Sequence, residues 1–163
     1  MTTSASSRAG CAGSSRDRAV RIAVLNGPNL NLLGVREPEI YGTVTLAEIE
    51  TRLEEVGAEL GVTLLFSQFN DEGRMLDAIH NCRGVVEGAL VNAGAWTHTS
   101  LALRDAFVGV QLPYVEVHLT NIYAREPERR HSFLAPGAIA IVAGLGAHGY
   151  ELALRGLVRR LNG

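Results

Sequence analysis

Five short apolar runs separated by helical periodicity constrain this chain more than any other feature. Residues 21–25 (RIAVL), 62–66 (VTLLF), 88–91 (GALV), 114–118 (YVEVH) and 139–142 (IAIV) are rich in Val, Ile and Leu and too short for helices. That is the pattern of strands covered on both faces. Between the first two runs Leu46, Ile49, Leu53, Val56 and Leu60 share one helical face, behind a capping box of Thr45 and Glu48. Met75, Leu76 and Ile79 mark a second helix, residues 101–108 a third, and Leu154, Leu157, Val158 and Leu161 a terminal one. Parallel strands need such crossovers, so the alternation predicts an α/β three-layer sandwich around a five-stranded parallel sheet.

The flavodoxin-like strand order is the expected one. No repeat or second domain interrupts the pattern, and residues 21–163 are expected to form a single domain behind a flexible tail at 1–20. The first 21 residues are rich in Ser, Ala, Gly and Arg and hold no apolar block that a secretory signal requires. They carry four arginines against one acid, which leaves 11 arginines against 16 acids in the rest. The folded part therefore lacks the basic signature of a nucleic-acid binder. No apolar run approaches the ~18 residues of a membrane span. Cys11 and Cys82 form neither a disulfide framework nor a metal-ligand spacing, which fits a reducing cytoplasm. All 15 basic side chains are arginine, and without lysine no Schiff-base mechanism is open to this chain.

In such a sheet ligands bind beyond the carboxyl ends of the strands. There the chain places NGPNLN, SQFNDEG, VNAGAWTHTS and EVHLTNIYARE, so Asn or His follows each of the first four strands. A polar small-molecule site is the consequence. The long segment Asn26–Gly42, with three asparagines, two prolines, Arg36 and Tyr41, lacks helix or strand periodicity and reads as a binding loop or lid. GLGAHG, with Gly144, Gly146 and Gly149, matches a dinucleotide fingerprint, but no further strand ending in an acid follows it. Those glycines are expected to allow a tight turn and close packing of the last helix. His98 and His118 match no metal spacing with Asp105, Glu116 or His131, and HTSLA is no hydrolase elbow. Thr99 or Ser100 starts the helix that holds Asp105.

His118 ends a strand with Glu116 two residues before it, so both side chains project from one face and the carboxylate orients the imidazole. Arg125, Arg129 and Arg130 follow in a loop, where a guanidinium grips a carboxylate. Tyrosine is a poor base near neutrality unless a cation stabilises its phenolate, and Arg36 is the candidate cation for Tyr41. A phenolate base, a histidine acid and arginines for an anion add up to a lyase that takes a proton beside a carbonyl and expels a hydroxyl as water.

NGPNLNLLGVREPEIYG, NAGAWTHTSLALRDA, EVHLTNIYARE, RRHS and GLGAHGYELAL, in this order over about residues 22–161, resemble type II 3-dehydroquinate dehydratase (type II dehydroquinase) of the shikimate pathway. The resemblance implies a flavodoxin-like, cytoplasmic hydro-lyase, assembled as a homododecamer. It converts 3-dehydroquinate to 3-dehydroshikimate plus water by trans elimination through an enolate, without metal or cofactor. Tyr41 matches the base, Arg36 the residue that depresses its pKa, Asn29 the holder of a water that stabilises the enolate, and His118 the general acid. Asn92, His98, Asp105, Leu119, Thr120 and Arg129 match substrate-binding positions, with the backbone at Leu119 and Thr120 receiving the carboxylate. Glu116 and Arg125 match supporting residues, and the opening loop is a lid that carries the base.

The chain departs from the family's usual residues at Glu128 (Phe), Phe69 (Ser), Asp71 (His), Trp96 (Tyr) and Ala93 (Pro). Glu128 is expected to compete with a substrate carboxylate for Arg129; the others bear on packing or subunit contacts. The rival class is a flavodoxin-like binding or regulatory module without this activity. A receiver domain needs an acidic cluster after the first strand and a lysine after the last, and the chain has neither. A flavin module would be coloured.

Overall fold

The computed structural model describes residues 19–35 and 37–163. Residues 1–18 with Cys11, Arg36, and the side chain of Tyr41 lie outside the described residues. Five strands, β1 (Arg21–Asn26), β2 (Thr63–Gln68), β3 (Gly88–Asn92), β4 (Tyr114–His118) and β5 (Ala140–Ala143), form one parallel sheet in the order β2-β1-β3-β4-β5. This is the expected flavodoxin-like order. β1 and β3 run one residue past their apolar stretches, because Asn26 and Asn92 still pair across the ladder. β2 likewise starts at Thr63 and continues to Gln68, opposite Asn26. Backbone pairing ends these strands, and the polar side chains there are carried into the sheet edge.

The helices are α1 (Pro38–Tyr41), α2 (Leu46–Leu60), α3 (Glu72–Asn81), α4 (Leu101–Val110) and α5 (His148–Leu161). α2 begins with the predicted capping box, Thr45 accepting from the Glu48 N–H while Glu48 accepts from the Thr45 N–H, and ends at Gly61 with φ of 68°. Of the two candidates for the start of α4, Ser100 is the cap, its hydroxyl accepting from the Leu103 N–H at 3.0 Å. Asp71 caps α3 in the same way, accepting from the Arg74 N–H at 2.8 Å. That departure from the family residue thus starts a helix.

Strand alternation divides the core. Ile22, Val24, Leu90, Val115 and Val117 face α2 and α5, while Ala23, Leu25, Ala89, Val91 and Tyr114 face α3 and α4. Each buried aliphatic side chain contributes about 1.5–3 kcal/mol. Phe69 and Trp96, two further departures, pack against the second core, and Ala93 is buried within it. Gly27 sits where a Cβ would lie 2.4 Å from the Ala93 carbonyl oxygen, so glycine alone allows this approach of β1 to the turn after β3. The two edge strands leave Leu65 and Ile141 exposed at 42% and 39%.

Candidate active site

Where the strands end, a cavity of about 150 Å³ opens. Asn29 comes from the turn after β1, Asn92 from the last position of β3, and His98 from the 3-10 turn Gly94–His98. His118 ends β4, with Leu119, Thr120, Arg125 and Arg129 following it around the rim. Eight residues singled out in the sequence thus line one space. Asp105 does not: it lies exposed on α4, outside the cavity its own chain forms. Tyr41 ends α1 in the opening loop, and Arg36 precedes that helix outside the described residues.

The loop is pinned from the second strand. The Asn29 N–H donates to Asn70 Oδ1 at 2.9 Å, and Gln68 Nε2 reaches the Gly27 carbonyl at 3.1 Å and Asn70 Oδ1 at 3.1 Å. Asn29 is held with φ of 66°, a left-handed conformation that asparagine tolerates better than most residues. The end of β2 therefore supplies an anchor for the loop rather than a cavity residue.

Glu116 is fully buried, as is Thr97 beside it. Its Oε1 lies 2.7 Å from His118 Nε2, so Nδ1 is the ring nitrogen left for a ligand. Thr97 donates its hydroxyl to the same oxygen, and Ser132 Oγ is 2.8 and 2.9 Å from the two oxygens. Burial is the largest influence on Glu116 and opposes ionisation, but the hydrogen bonds from His118, Thr97 and Ser132 together outweigh it and hold the carboxyl below its ordinary range.

His98 donates Nδ1–H to the His131 carbonyl at 2.7 Å, which leaves Nε2 as an acceptor. Burial, its largest influence, and the neighbouring His118 and Arg129 lower its pKa, so it is neutral at pH 7. The two histidine rings are near parallel, with centroids 6.4 Å apart.

The arginines divide. Arg125 and Arg129 line the cavity, whereas Arg130 donates Nε–H to the Arg125 carbonyl at 2.6 Å and braces the loop. Arg129 is paired with Glu126 at 2.6 Å, and among the described residues no ion pair joins it to Glu128. The expected competitor is therefore the wrong glutamate: the 3-10 turn Pro127–Arg129 brings Glu126, three residues back, beneath the guanidinium. Past His118, Leu119 and Thr120 form part of the cavity wall. The glycine-rich turn holds this wall: the Gly144 and Gly146 N–H groups donate to the His118 and Leu119 carbonyls at 3.2 and 2.9 Å. With φ of 88° and 57° these glycines make the expected tight turn, and their amides are spent on protein oxygens rather than presented to a phosphate.

Sequence reasoning missed Thr97, Ser132, Glu126 and the hydroxyl of Tyr150. Tyr150 is fully buried between two strand ends, donating to Asn26 Oδ1 at 2.6 Å and accepting from Asn92 Nδ2 at 2.9 Å. The one signal for the first two is a hydroxyl residue adjacent to a histidine, in Thr97-His98 and His131-Ser132.

The comparisons with known proteins agree with this geometry. The 3-dehydroquinate dehydratase of Gemmatimonas aurantiaca is 64% identical over 140 residues, 86% of this chain and 92% of that protein. The 3-dehydroquinate dehydratase of Prochlorococcus marinus is 55% identical over 140 residues, 86% of this chain and 97% of that protein. The crystal structure of type II dehydroquinase from Propionibacterium acnes superposes with a TM-score of 0.82 at 43% identity, covering 87% of this chain and 99% of the other. With the class II dehydroquinase model matching residues 20–158, and with the strand order and strand-end cavity set out above, this chain belongs to the class II dehydroquinase family.

Proposed function

We infer that the chain is a hydro-lyase that dehydrates 3-dehydroquinate to 3-dehydroshikimate in the shikimate pathway. The observation that carries the chemistry is the His118–Glu116 pair, at 2.7 Å, beside two arginines in one cavity. The Tyr41 phenolate takes a proton from the carbon beside the ketone, and the electron pair moves into an enolate. A water held by Asn29 stabilises the enolate oxygen. As the enolate collapses to the new C=C bond, the C–O bond breaks and the hydroxyl leaves as water with a proton from His118 Nδ1. Arg129 and the N–H groups of Leu119 and Thr120 hold the substrate carboxylate, with Arg125 in support, and Asn92 and neutral His98 bind its hydroxyls. Tyr114 and Tyr150 do not suit the base role, because burial pushes both phenols up and both hydroxyls are donated to protein oxygens.

The chain assembles in this reading as a homododecamer and works in the cytoplasm. The exposed Leu65 and Ile141 on the sheet edges supply apolar surface for such contacts. An assembly also gives Asp105, exposed and outside its own cavity, a route to a neighbouring copy's substrate. Among the described residues no helix is long and apolar enough to cross a membrane.

The test is incubation of purified protein with 3-dehydroquinate while the ultraviolet absorbance of the conjugated enone is followed, for untreated enzyme and for enzyme first treated with substrate plus borohydride and then freed of both. Enone formation by the untreated enzyme, and full activity of enzyme freed of reagent after treatment with substrate plus borohydride, are the expected results. No enone at micromolar enzyme overturns the assignment, and irreversible inactivation by borohydride in the presence of substrate overturns the enolate route. Light scattering after size exclusion tests the dodecamer.

A further inference from the structure

Residues 131–133 touch His98 and the carboxylate partner of His118 without lining the cavity. The His131 carbonyl accepts from His98 Nδ1–H at 2.7 Å, and the Phe133 N–H donates to the Thr97 carbonyl at 2.8 Å. Between them Ser132 reaches the fully buried Glu116. The Ser132 oxygen already accepts from the N–H groups of Leu134 at 3.1 Å and Ala135 at 2.9 Å. A hydroxyl has two acceptor positions and one proton, so with both positions filled its proton goes to the carboxylate. Thr97 gives a second hydroxyl proton to the same group.

Other charges do not stabilise the carboxylate in their place. The flanking strands β3 and β5 carry no charged residue. The titratable groups facing Glu116 are His118, His98 and Tyr114; Arg129 acts on His98, and Arg104 on Tyr114. Among the described residues, the burial cost of this anion is met by the hydroxyls of Thr97 and Ser132 and by His118.

We propose that Ser132, together with Thr97, is a positioning residue for the elimination, holding Glu116 as an anion so that His118 keeps one proton on Nε2 and delivers the other from Nδ1. The inference rests on the dehydratase reading. With Glu116 ionised, the imidazolium gives its Nδ1 proton to the departing hydroxyl and returns to the neutral Nε2–H form, still bonded to the carboxylate. A protonated Glu116 would instead donate to Nε2, and His118 would present the Nδ1–H of a neutral imidazole, a far weaker acid. The same three-residue segment sets the opposite tautomer on His98, so one short stretch of backbone gives the two histidines different roles.

The test is kcat and KM against pH for Ser132→Ala, Ser132→Thr and Thr97→Val, with Ser132→Ala repeated in a Glu116→Gln background. Ser132→Ala should lower kcat roughly ten-fold or more, the scale of a lost hydrogen bond to a charged group. KM should stay within about two-fold. The acid limb of kcat should move to higher pH, because a carboxylate with fewer donors takes up its proton sooner. Ser132→Thr, which keeps the hydroxyl, should recover most of the rate. In the Glu116→Gln background the Ser132→Ala cost should nearly vanish. An equal loss in both backgrounds, an unmoved acid limb, or no loss at all overturns the assignment. If circular dichroism shows that Ser132→Ala is unfolded, Thr97→Val carries the same expectations. An inactive wild-type enzyme strikes the dehydratase reading, whereas an active wild type with an indifferent Ser132→Ala strikes this inference alone.

Discussion

Arg129 Nε lies 2.6 Å from one carboxylate oxygen of Glu126, while the other oxygen of Glu126 is 3.5 Å from Arg125 Nε. One protein carboxylate thus bridges the two arginines that line the cavity. A substrate carboxylate that binds Arg129 shares the guanidinium with it.

The size of that competition follows from exposure. The Arg129 and Glu126 side chains are 30% and 49% exposed, so solvent screens the pair and weakens it. Glu126→Gln should lower KM by at most about five-fold and leave kcat nearly unchanged, since the carboxylate is gripped alike in ground and transition states. Glu128→Phe should leave KM where it is. Steady-state kinetics on both variants check this; a lower KM for Glu128→Phe alone would return the competition to that residue.

His118→Ala and Tyr41→Phe should each reduce kcat by ~10²–10⁴, the usual range for a positioned acid or base. Neither should unfold the protein: Tyr41 ends a short helix in a loop, and His118 sits at the end of its strand. Turnover within a few-fold of wild type in either variant reassigns that role.

Tyr150→Phe tests the link between the sheet and Asn92. Removing the hydroxyl leaves Asn26 Oδ1 and Asn92 Nδ2 without their buried partner, at a cost of about 1–3 kcal/mol. The melting temperature should fall by several degrees. KM should rise as well, because the Asn92 amide then loses one anchor and keeps the bond its Oδ1 accepts from the Gly94 N–H at 3.2 Å. A melting curve and a KM that both match wild type show that the network is dispensable.

Acid titration tests the Glu116 network through stability. Its carboxyl is held below the ordinary range in the folded chain, whereas in the unfolded chain it titrates near ~4.3. The stabilisation is therefore complete above the unfolded value and is lost as pH falls through the folded one. Glu116→Gln should melt lower than wild type at pH 7, and the gap should close below about pH 4. A gap that stays constant from pH 7 to pH 3 contradicts an ionised Glu116.

Local physics made much of this protein legible. The apolar run at 21–25 and the face Leu46, Ile49, Leu53, Val56 specify a strand and a helix through burial alone, and both formed with their predicted sides inward. The capping box at Thr45 and Glu48 is complete within four residues and needs no tertiary partner. Because strand ends gather at one edge of a parallel sheet, eight of the candidate residues met in one cavity without any knowledge of distance.

Contacts between distant segments were decided only by the tertiary structure. Ser132 is 16 residues from Glu116, and Tyr150 is 124 from Asn26; periodicity reports which side of an element faces the core but not which hydroxyl meets which carboxylate. Proximity in sequence even misled at Arg129, since a 3-10 turn repeats every three residues and sets Glu126, not the adjacent Glu128, against the guanidinium. Asn70, equivalent in sequence pattern to the other strand-end asparagines, turns to the loop because β2 is an edge strand one step away from the cavity. The sequence alone therefore determined the layers, the sheet and the chemical inventory at its edge. Which of those groups became ligands, which became braces and which proton sits on which nitrogen depended on the packing of elements far apart in the chain, where a few tenths of an ångström decide whether a hydrogen bond exists.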